Sequence, residues 1–370
     1  MAIRLSLPRD TLVQLAGLAG RAVSTRASVQ ILAGIHLRAE DGLIELSATD
    51  IELSLRASGA ASVESEGAVV VPGRLLLDIS RLLPPGEVLL EHRPADAMLH
   101  LTCGSSSFKL HTYDAADFPR LPQVPPPAAF DVPREAFLET LGRVSRAASR
   151  DESRPVLTGV LVQIQGDRLV MAATDSYRLA VKETTLDRPP GQDVEAIVPA
   201  RALAEVARIA QGTAEDALTL AVQENQVLLC AGGVWLTARR IEGQFPNYRQ
   251  LRPETFEAFA TVGREELGEA VRRVGLMAQR NTAVRMRFEE GQLAIRAQTQ
   301  DVGEAEETIP VSYSGEPMEI GFNPQFLLDG LDSLTGQEAR INLINPLRPG
   351  LLTGDGDDFW YLIMPIRLAS

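Results

Sequence analysis

Arginines at recurring spacings are the residues of this chain best placed to do chemistry. Arg74 and Arg81 lie seven residues apart, and so do Arg201 and Arg208, each 127 residues after its counterpart. Seven residues are two helical turns, so each pair shares one helix face. Arg143, Arg146 and Arg150 follow at spacings of three and four, and Arg272, Arg273 and Arg280 cluster further on. Guanidinium groups bind phosphate through charge and paired N–H donors. The net charge of −13 argues against general adhesion to nucleic acid. Arginines kept in register in an acidic chain imply a restricted phosphate-tracking surface, although solvated helix faces are the ordinary alternative for any single helix.

Catalytic constellations are missing from the sequence. It contains neither a P-loop nor a dinucleotide fingerprint. The four histidines, His36, His92, His100 and His111, have no cysteine or carboxylate at metal-motif spacing. Gly354-Asp355-Gly356-Asp357-Asp358 lacks calcium-loop spacing and reads as a hairpin turn. Ser176 stands in an ATD phrase that also occurs at Ala48–Asp50, which argues against a nucleophile. Cys103 and Cys230 lie 127 residues apart and read as unpaired, buried small residues. No apolar run is long enough to span a membrane, and MAIRLSLPRD lacks a secretory apolar core, so a cytoplasmic protein is expected. No cofactor or metal is expected.

The elements that carry these residues come in triplicate. A strand, a Gly turn and a second strand recur from Leu32, Leu157 and Thr282, with turn glycines Gly42, Gly166 and Gly291 separated by 124 and 125 residues. That period is a whole domain, not a solenoid repeat. A first helix is predicted near Asp10–Val23, Arg134–Ala148 and Arg264–Gln279; in the second, Phe137, Leu141, Val144 and Ala148 form a buried stripe. A strand, a Pro-containing turn and a second helix are predicted at Val69–Leu83, Ile197–Ala210 and Ile320–Leu334. Five prolines in Pro119–Pro127, and then Leu251–Thr255, read as linkers. The expected domains are residues 1–122, 128–251 and 254–370, each an α+β unit with two helices and about eight strands.

Four phrases carry a family resemblance. ATDSYRLAV (Ala173–Val181), FPNYRQL (Phe245–Leu251), Ser312–Leu334 and YLIMPIRL (Tyr361–Leu368) resemble, in order and spacing, segments of the bacterial DNA polymerase III beta subunit, the replicative sliding clamp. The resemblance covers essentially the whole chain. It implies three tandem DNA-clamp domains forming half of a pseudo-sixfold ring: a head-to-tail homodimer around double-stranded DNA, with helices lining the hole. It also implies a non-catalytic processivity factor that tethers the replicative polymerase and recruits the clamp loader and repair proteins, in the cytoplasm at the nucleoid. The alternative is a paralogue used in repair or in tolerance to a clamp-directed inhibitor.

Site residues follow from the resemblance together with the arginine pattern. DNA contacts are expected at Arg21, Arg26, Arg74, Arg81, Arg143, Arg146, Arg150, Arg154, Arg201, Arg208, Arg273 and Arg280. The resemblance implies a partner-peptide cleft formed by Leu157, Thr174, Ser176, Tyr177, Arg178, Leu179, Pro246, Leu251, Leu347, Leu362, Ile363, Met364, Pro365 and Ile366. Ser176, Tyr177, Gln250 and Asn281 depart from the common family residues there. It places the ring joint at Phe108 and Leu110 facing Leu276 and Met277, flanked by Glu304, Glu306 and Glu307. Basic residues of domain one answer these acids in the family; here that stretch reads Gly104-Ser105-Ser106-Ser107, with Lys109 the nearest cation.

Overall fold

The computed structural model describes residues 3–24, 29–126, 128–278, 282–299, 303–356 and 358–368. Six α-helices occur among the described residues, two per repeat: α1 (Arg9–Ala19), α2 (Gly73–Leu82), α3 (Arg134–Val144), α4 (Ala200–Ala210), α5 (Arg264–Gly275) and α6 (Pro324–Ser333). The first helix of each repeat is shorter than its sequence pattern. After α1 and α3 the chain tightens into the 3₁₀ turns Gly20–Ala22 and Ser145–Ala147. Three residues per turn advances the phase relative to an α-helix. Ala147, not Ala148, therefore completes the buried stripe of Phe137, Leu141 and Val144. The second helices begin where proline predicts: Pro324 occupies the first turn of α6, and the Asn323 side chain caps it by accepting from the Gln325 and Phe326 amides.

The chain forms two compact units, residues 1–131 with 202–240, and residues 132–201 with 241–370. The division cuts through the middle repeat, because its two sets of strands bond to different neighbours. In unit one, Val234–Arg239 of the middle repeat pairs with Leu53–Ala60 of the first, within an eight-stranded sheet. A five-stranded sheet, ending at Ser106–His111, completes that unit. In unit two, Arg178–Thr185 pairs with Phe359–Ile363 of the third repeat, inside a twelve-stranded sheet.

Alternating residues fill the cores, but central strands depart from alternation. All five residues of Phe359–Ile363 are buried, because one face meets α6 and the other an apolar cluster. Gly330 permits the helix contact: a Cβ there would lie 2.8 Å from the Tyr361 ring. Tyr361 uses that approach to donate to the Phe326 carbonyl at 2.8 Å, and burial pushes its phenol pKa up. Cys103 and Cys230 are both free; Cys230 is only half-buried, contrary to expectation, and burial raises its thiol to about 11.

Candidate nucleic-acid interface and peptide cleft

Leu179 and Leu362, with the Phe245–Leu251 phrase, belong to one junction in unit two. Antiparallel pairing sets Leu179 opposite Leu362 and Val181 opposite Trp360. These join Leu161, Val170, Phe245 and Tyr248 in one apolar cluster. The Phe245–Leu251 phrase folds across it, with the Tyr248 and Trp360 ring centroids 6.4 Å apart. At the rim, Asp175 accepts from the Tyr177 and Arg178 amides at 2.9 and 3.0 Å, while Thr174 donates to the Arg178 carbonyl. Ser176 takes φ +78° in this turn. The turn leaves Tyr177 60% exposed, its ring 6.5 Å from that of Phe326. The Met364 amide donates to the Tyr177 carbonyl and the Ile366 amide to that of Gly321, both at 2.8 Å, which fixes Met364–Pro365–Ile366 alongside.

The predicted set divides into surface and floor. Tyr177, Leu251, Leu347 and Met364 are exposed apolar groups; Ser176 is exposed; Pro246, Pro365 and Ile366 are half-buried. Leu157, Thr174, Leu179 and Leu362 are buried beneath them, and Ile363 is fully buried. Ile363 is thus a core residue and not a surface of the cleft. Arg178 is also withdrawn: its guanidinium binds Asp175, Asp329 and the Arg146 carbonyl, with its carbon 4.4 Å from the Phe326 ring centroid. Its role is to fix the rim. Phe326, which the sequence reading missed, completes the stack under Tyr177; only its place on the second helix of repeat three hinted at it. Asn281 lies outside the described residues, and Gln250 is exposed.

Unit one contains the same frame with different chemistry. Asp50 accepts from the Glu52 and Leu53 amides, Ile51 takes φ +80°, and the Arg239 amide donates to the Glu52 carbonyl at 2.8 Å. Ser54 faces Thr237 and Arg56 faces Trp235, where unit two has Leu179–Leu362 and Val181–Trp360. Arg56 binds the Pro122 carbonyl at 3.2 Å and pairs with Glu45 at 3.6 Å. Only about 10 Å³ of space remains among Ser54, Arg56, Leu121, Pro122, Trp235 and Thr237. Polar side chains and the chain's own linker close this junction, whereas the matching junction of unit two has an apolar floor.

The arginines are mostly held by carboxylates. Glu205 binds Arg21 at 2.8 Å and Arg208 at 2.7 Å; Asp332 binds Arg146 at 2.9 Å and Arg272 at 3.0 Å. Arg74, Arg81, Arg150 and Arg201 are exposed. Three positions depart from expectation. Arg143 is only 15% exposed, folded against Glu139 and over the Phe359 ring, which removes it from the free helix face. Arg273 turns to Glu307 and Glu269, and it is its neighbour Arg272 that joins Arg146; one residue is a 100° turn, which spacing alone did not resolve. Arg154 donates to the Ser176 hydroxyl at 2.9 Å, so it sits at the cleft rim. Arg26 and Arg280 lie outside the described residues.

Comparison with known proteins agrees with this geometry along the whole chain. Models of the DNA polymerase III beta subunit N-terminal, central and C-terminal domains match residues 3–122, 131–247 and 249–367. The beta sliding clamp of Streptomyces coelicolor is 39% identical over 382 residues, covering all of both chains. The chain belongs to the DNA polymerase III beta subunit family, the bacterial sliding clamps. The Bacillus subtilis sliding clamp superposes with a TM-score of 0.94 at 27% identity, covering 100% of both chains. A sliding clamp from Bartonella birtlesii bound to griselimycin superposes at 0.93 with 28% identity, again covering 100% of both. Members of this family are non-catalytic accessory subunits in DNA replication, which agrees with the three tandem α+β domains.

The expected joint residues of this sliding-clamp chain lie at two strand edges and in the turn that follows α5. Ser106–His111 ends the five-stranded sheet, with Phe108 37% exposed. Leu110 is 1% exposed and packs into its own unit, so it is a core residue and not a joint surface. Phe108 shares its face by alternation but extends beyond that core's cover. In unit two, Gly303–Val311 pairs with Gly291–Thr299 on one side, whereas pairing with Ala258–Gly263 reaches only Ser312–Ser314. Leu276 is 77% exposed and Met277 half-buried. Of the acids, Glu304 is exposed, Glu306 pairs with Arg296 at 2.7 Å and Glu307 with Arg273 at 2.6 Å. Glu306 and Glu307 therefore find cations within their own unit, which fits the absence of arginine or lysine from Gly104–Ser107.

Proposed function

We propose that two copies of the chain join head to tail, the Ser106–His111 edge against the Gly303–Thr308 edge, into a ring that encircles duplex DNA. The ring tethers the replicative polymerase in the cytoplasm and recruits the clamp loader and repair proteins by short peptides. The observation that supports the partner reading is the apolar junction of unit two: Tyr177, Leu251 and Met364 are exposed along a cluster that contains Trp360, Tyr248, Leu179 and Leu362, whereas the matching junction of unit one is filled by polar side chains. Exposed apolar groups over a packed floor suit a peptide with Leu and Phe anchors. Arg21, Arg74, Arg81, Arg146, Arg150, Arg201, Arg208 and Arg272 supply sequence-blind contacts to phosphate.

Two measurements test this reading. A fluorescent QLSLF peptide is expected to bind the wild type and to lose at least roughly tenfold affinity with Tyr177→Ala and Met364→Ala together, since each is an exposed anchor contact. Unchanged affinity would place the partner site elsewhere. Loaded protein is expected to stay on nicked circular DNA and leave once the circle is cut; equal loss from both forms would exclude topological retention.

A further inference from the structure

The carboxylates Glu205 and Asp332 occupy positions of a kind that structural clasps alone do not require. Arg21 and Arg146 lie one repeat apart, each in the 3₁₀ turn that ends a first helix. Each reaches a carboxylate on the second helix of the following repeat: Arg21 reaches Glu205 on α4, and Arg146 reaches Asp332 on α6. The two carboxylates are not repeat equivalents, since Glu205 is the sixth residue of its helix and Asp332 the ninth. The ninth position of α4 is itself an arginine, Arg208. An acid has thus been placed twice, at different positions, to meet the same recurring arginine.

Each acid binds two guanidiniums, one per oxygen. Glu205 presents Oε2 to Arg21 and Oε1 to Arg208; Asp332 presents Oδ2 to Arg146 and Oδ1 to Arg272. A DNA phosphate would bind such a pair of guanidiniums in the same way, through two anionic oxygens. The arginines remain accessible at both sites, Arg146 and Arg272 at 50% and 53% and Arg21 and Arg208 at 34% and 56%, while Asp332 is 38% exposed and Glu205 16%. Pairs as exposed as those of Asp332 contribute little to stability. An acid in the last turn of a helix is moreover unfavourable toward the helix dipole, which gives Asp332 no local structural reason to be there.

Resting on the sliding-clamp reading above, we propose that Glu205 and Asp332 are internal phosphate surrogates that set the strength of DNA contact. Each holds two arginines that would otherwise bind backbone phosphates. A phosphate must displace a carboxylate to be bound, and the carboxylate returns when the phosphate moves on. Contact is thereby kept weak at every position along the duplex, which sliding requires.

The test is binding of full-length protein to a short open-ended duplex, followed by anisotropy across a salt series, for wild type, Glu205→Gln, Asp332→Asn and the double variant. Both substitutions keep side-chain size, and thermal unfolding checks that each variant is folded. Freeing two arginines per site is expected to raise low-salt affinity about tenfold and to steepen the plot of log affinity against log salt by about 1–2 per site, at roughly 0.9 per phosphate contact. A folded variant with unchanged slope and affinity would reduce the acids to helix clasps and overturn the proposal. A fall in affinity would overturn it equally. Wild type and all variants that bind no duplex even at low salt would overturn the surrogate role while leaving the ring reading standing; the ring reading fails separately, if loaded protein leaves circular and cut DNA alike.

Discussion

Replacing Arg178 by Ala should collapse the cleft rim and much of the stability of unit two. Arg178 is 9% exposed and its partners Asp175 and Asp329 are 12% and 14% exposed. Removing one member of a buried ion pair costs about 3–5 kcal/mol, because the remaining charge stays desolvated. The stacked guanidinium over Phe326 adds about 1 kcal/mol. Water can enter the vacated space and reach carboxylates that already touch solvent, so the lower end applies, about 3 kcal/mol. Arg178→Lys should recover less than half, since one ammonium cannot serve two carboxylates and a carbonyl on separate elements. The two tryptophans fall one in each unit, Trp235 and Trp360. In a Trp235→Phe background, fluorescence during urea unfolding therefore reports unit two through Trp360, which avoids treating the whole chain as one transition. Peptide affinity should fall in parallel, because Tyr177 loses the Phe326 platform that Arg178 holds. A loss below about 1 kcal/mol with unchanged peptide affinity would refute the claim that this arginine fixes the rim.

Three further outcomes follow from buried polar groups. His36 is depressed to about 4 by burial and by Arg38 and Arg56, and it stacks on Phe118 at 5.1 Å. Between about pH 6.5 and 4 the unfolded chain binds a proton that the folded one refuses, so the stability of unit one should fall as pH drops through that window, by up to about 3 kcal/mol; His36→Gln should flatten that part of a pH–stability curve. The Tyr248 hydroxyl is buried with no hydrogen-bond partner among the described residues, so Tyr248→Phe should raise urea stability by about 1 kcal/mol; a loss of that size would reveal a partner. Lys182 is 3% exposed and meets Asp358 and the Glu183 carbonyl. Asp358→Asn should destabilise unit two by about 2 kcal/mol, tempered by the exposure of Asp358, and adding Lys182→Met should restore most of it in a double-mutant cycle.

Asp358 also shows what the sequence could not assign. It belongs to the acidic Gly354–Asp358 run, read as a hairpin turn, and in the fold its carboxylate serves a lysine on a strand 176 residues earlier in the chain. Covalent spacing carries no information about such a partner. The arginine pattern has the same limit. A spacing of seven sets Arg74 with Arg81 and Arg201 with Arg208 on shared helix faces, and all four are exposed, because helical geometry alone fixes which residues share a face; Arg146, beyond the end of α3, lies in a 3₁₀ turn instead. The spacings did not foresee that Glu205 and Asp332 neutralise several of those arginines, or that Arg273 turns to Glu307.

What the sequence determined by itself was whatever depends on local periodicity and recurrence: three repeats, two helices in each, the strand pairs around Gly42, Gly166 and Gly291, and the turn that exposes Tyr177. Four ordered phrases were enough to name the family, because their spacing is a property of the whole chain. The resemblance had already assigned a cleft to Leu179, Leu362 and their neighbours; tertiary structure alone supplied the physical contrast between the two junctions. Both junctions share backbone register and hydrogen bonds, and they differ by Ser54, Arg56 and Thr237 against Leu179, Val181 and Leu362. Those side chains become neighbours only when strands far apart in sequence pair. Tertiary packing likewise buried Ile363 and Leu110, each in its own sheet, although the resemblance placed them on surfaces, since burial is set by what covers a strand and not by the strand's own residues.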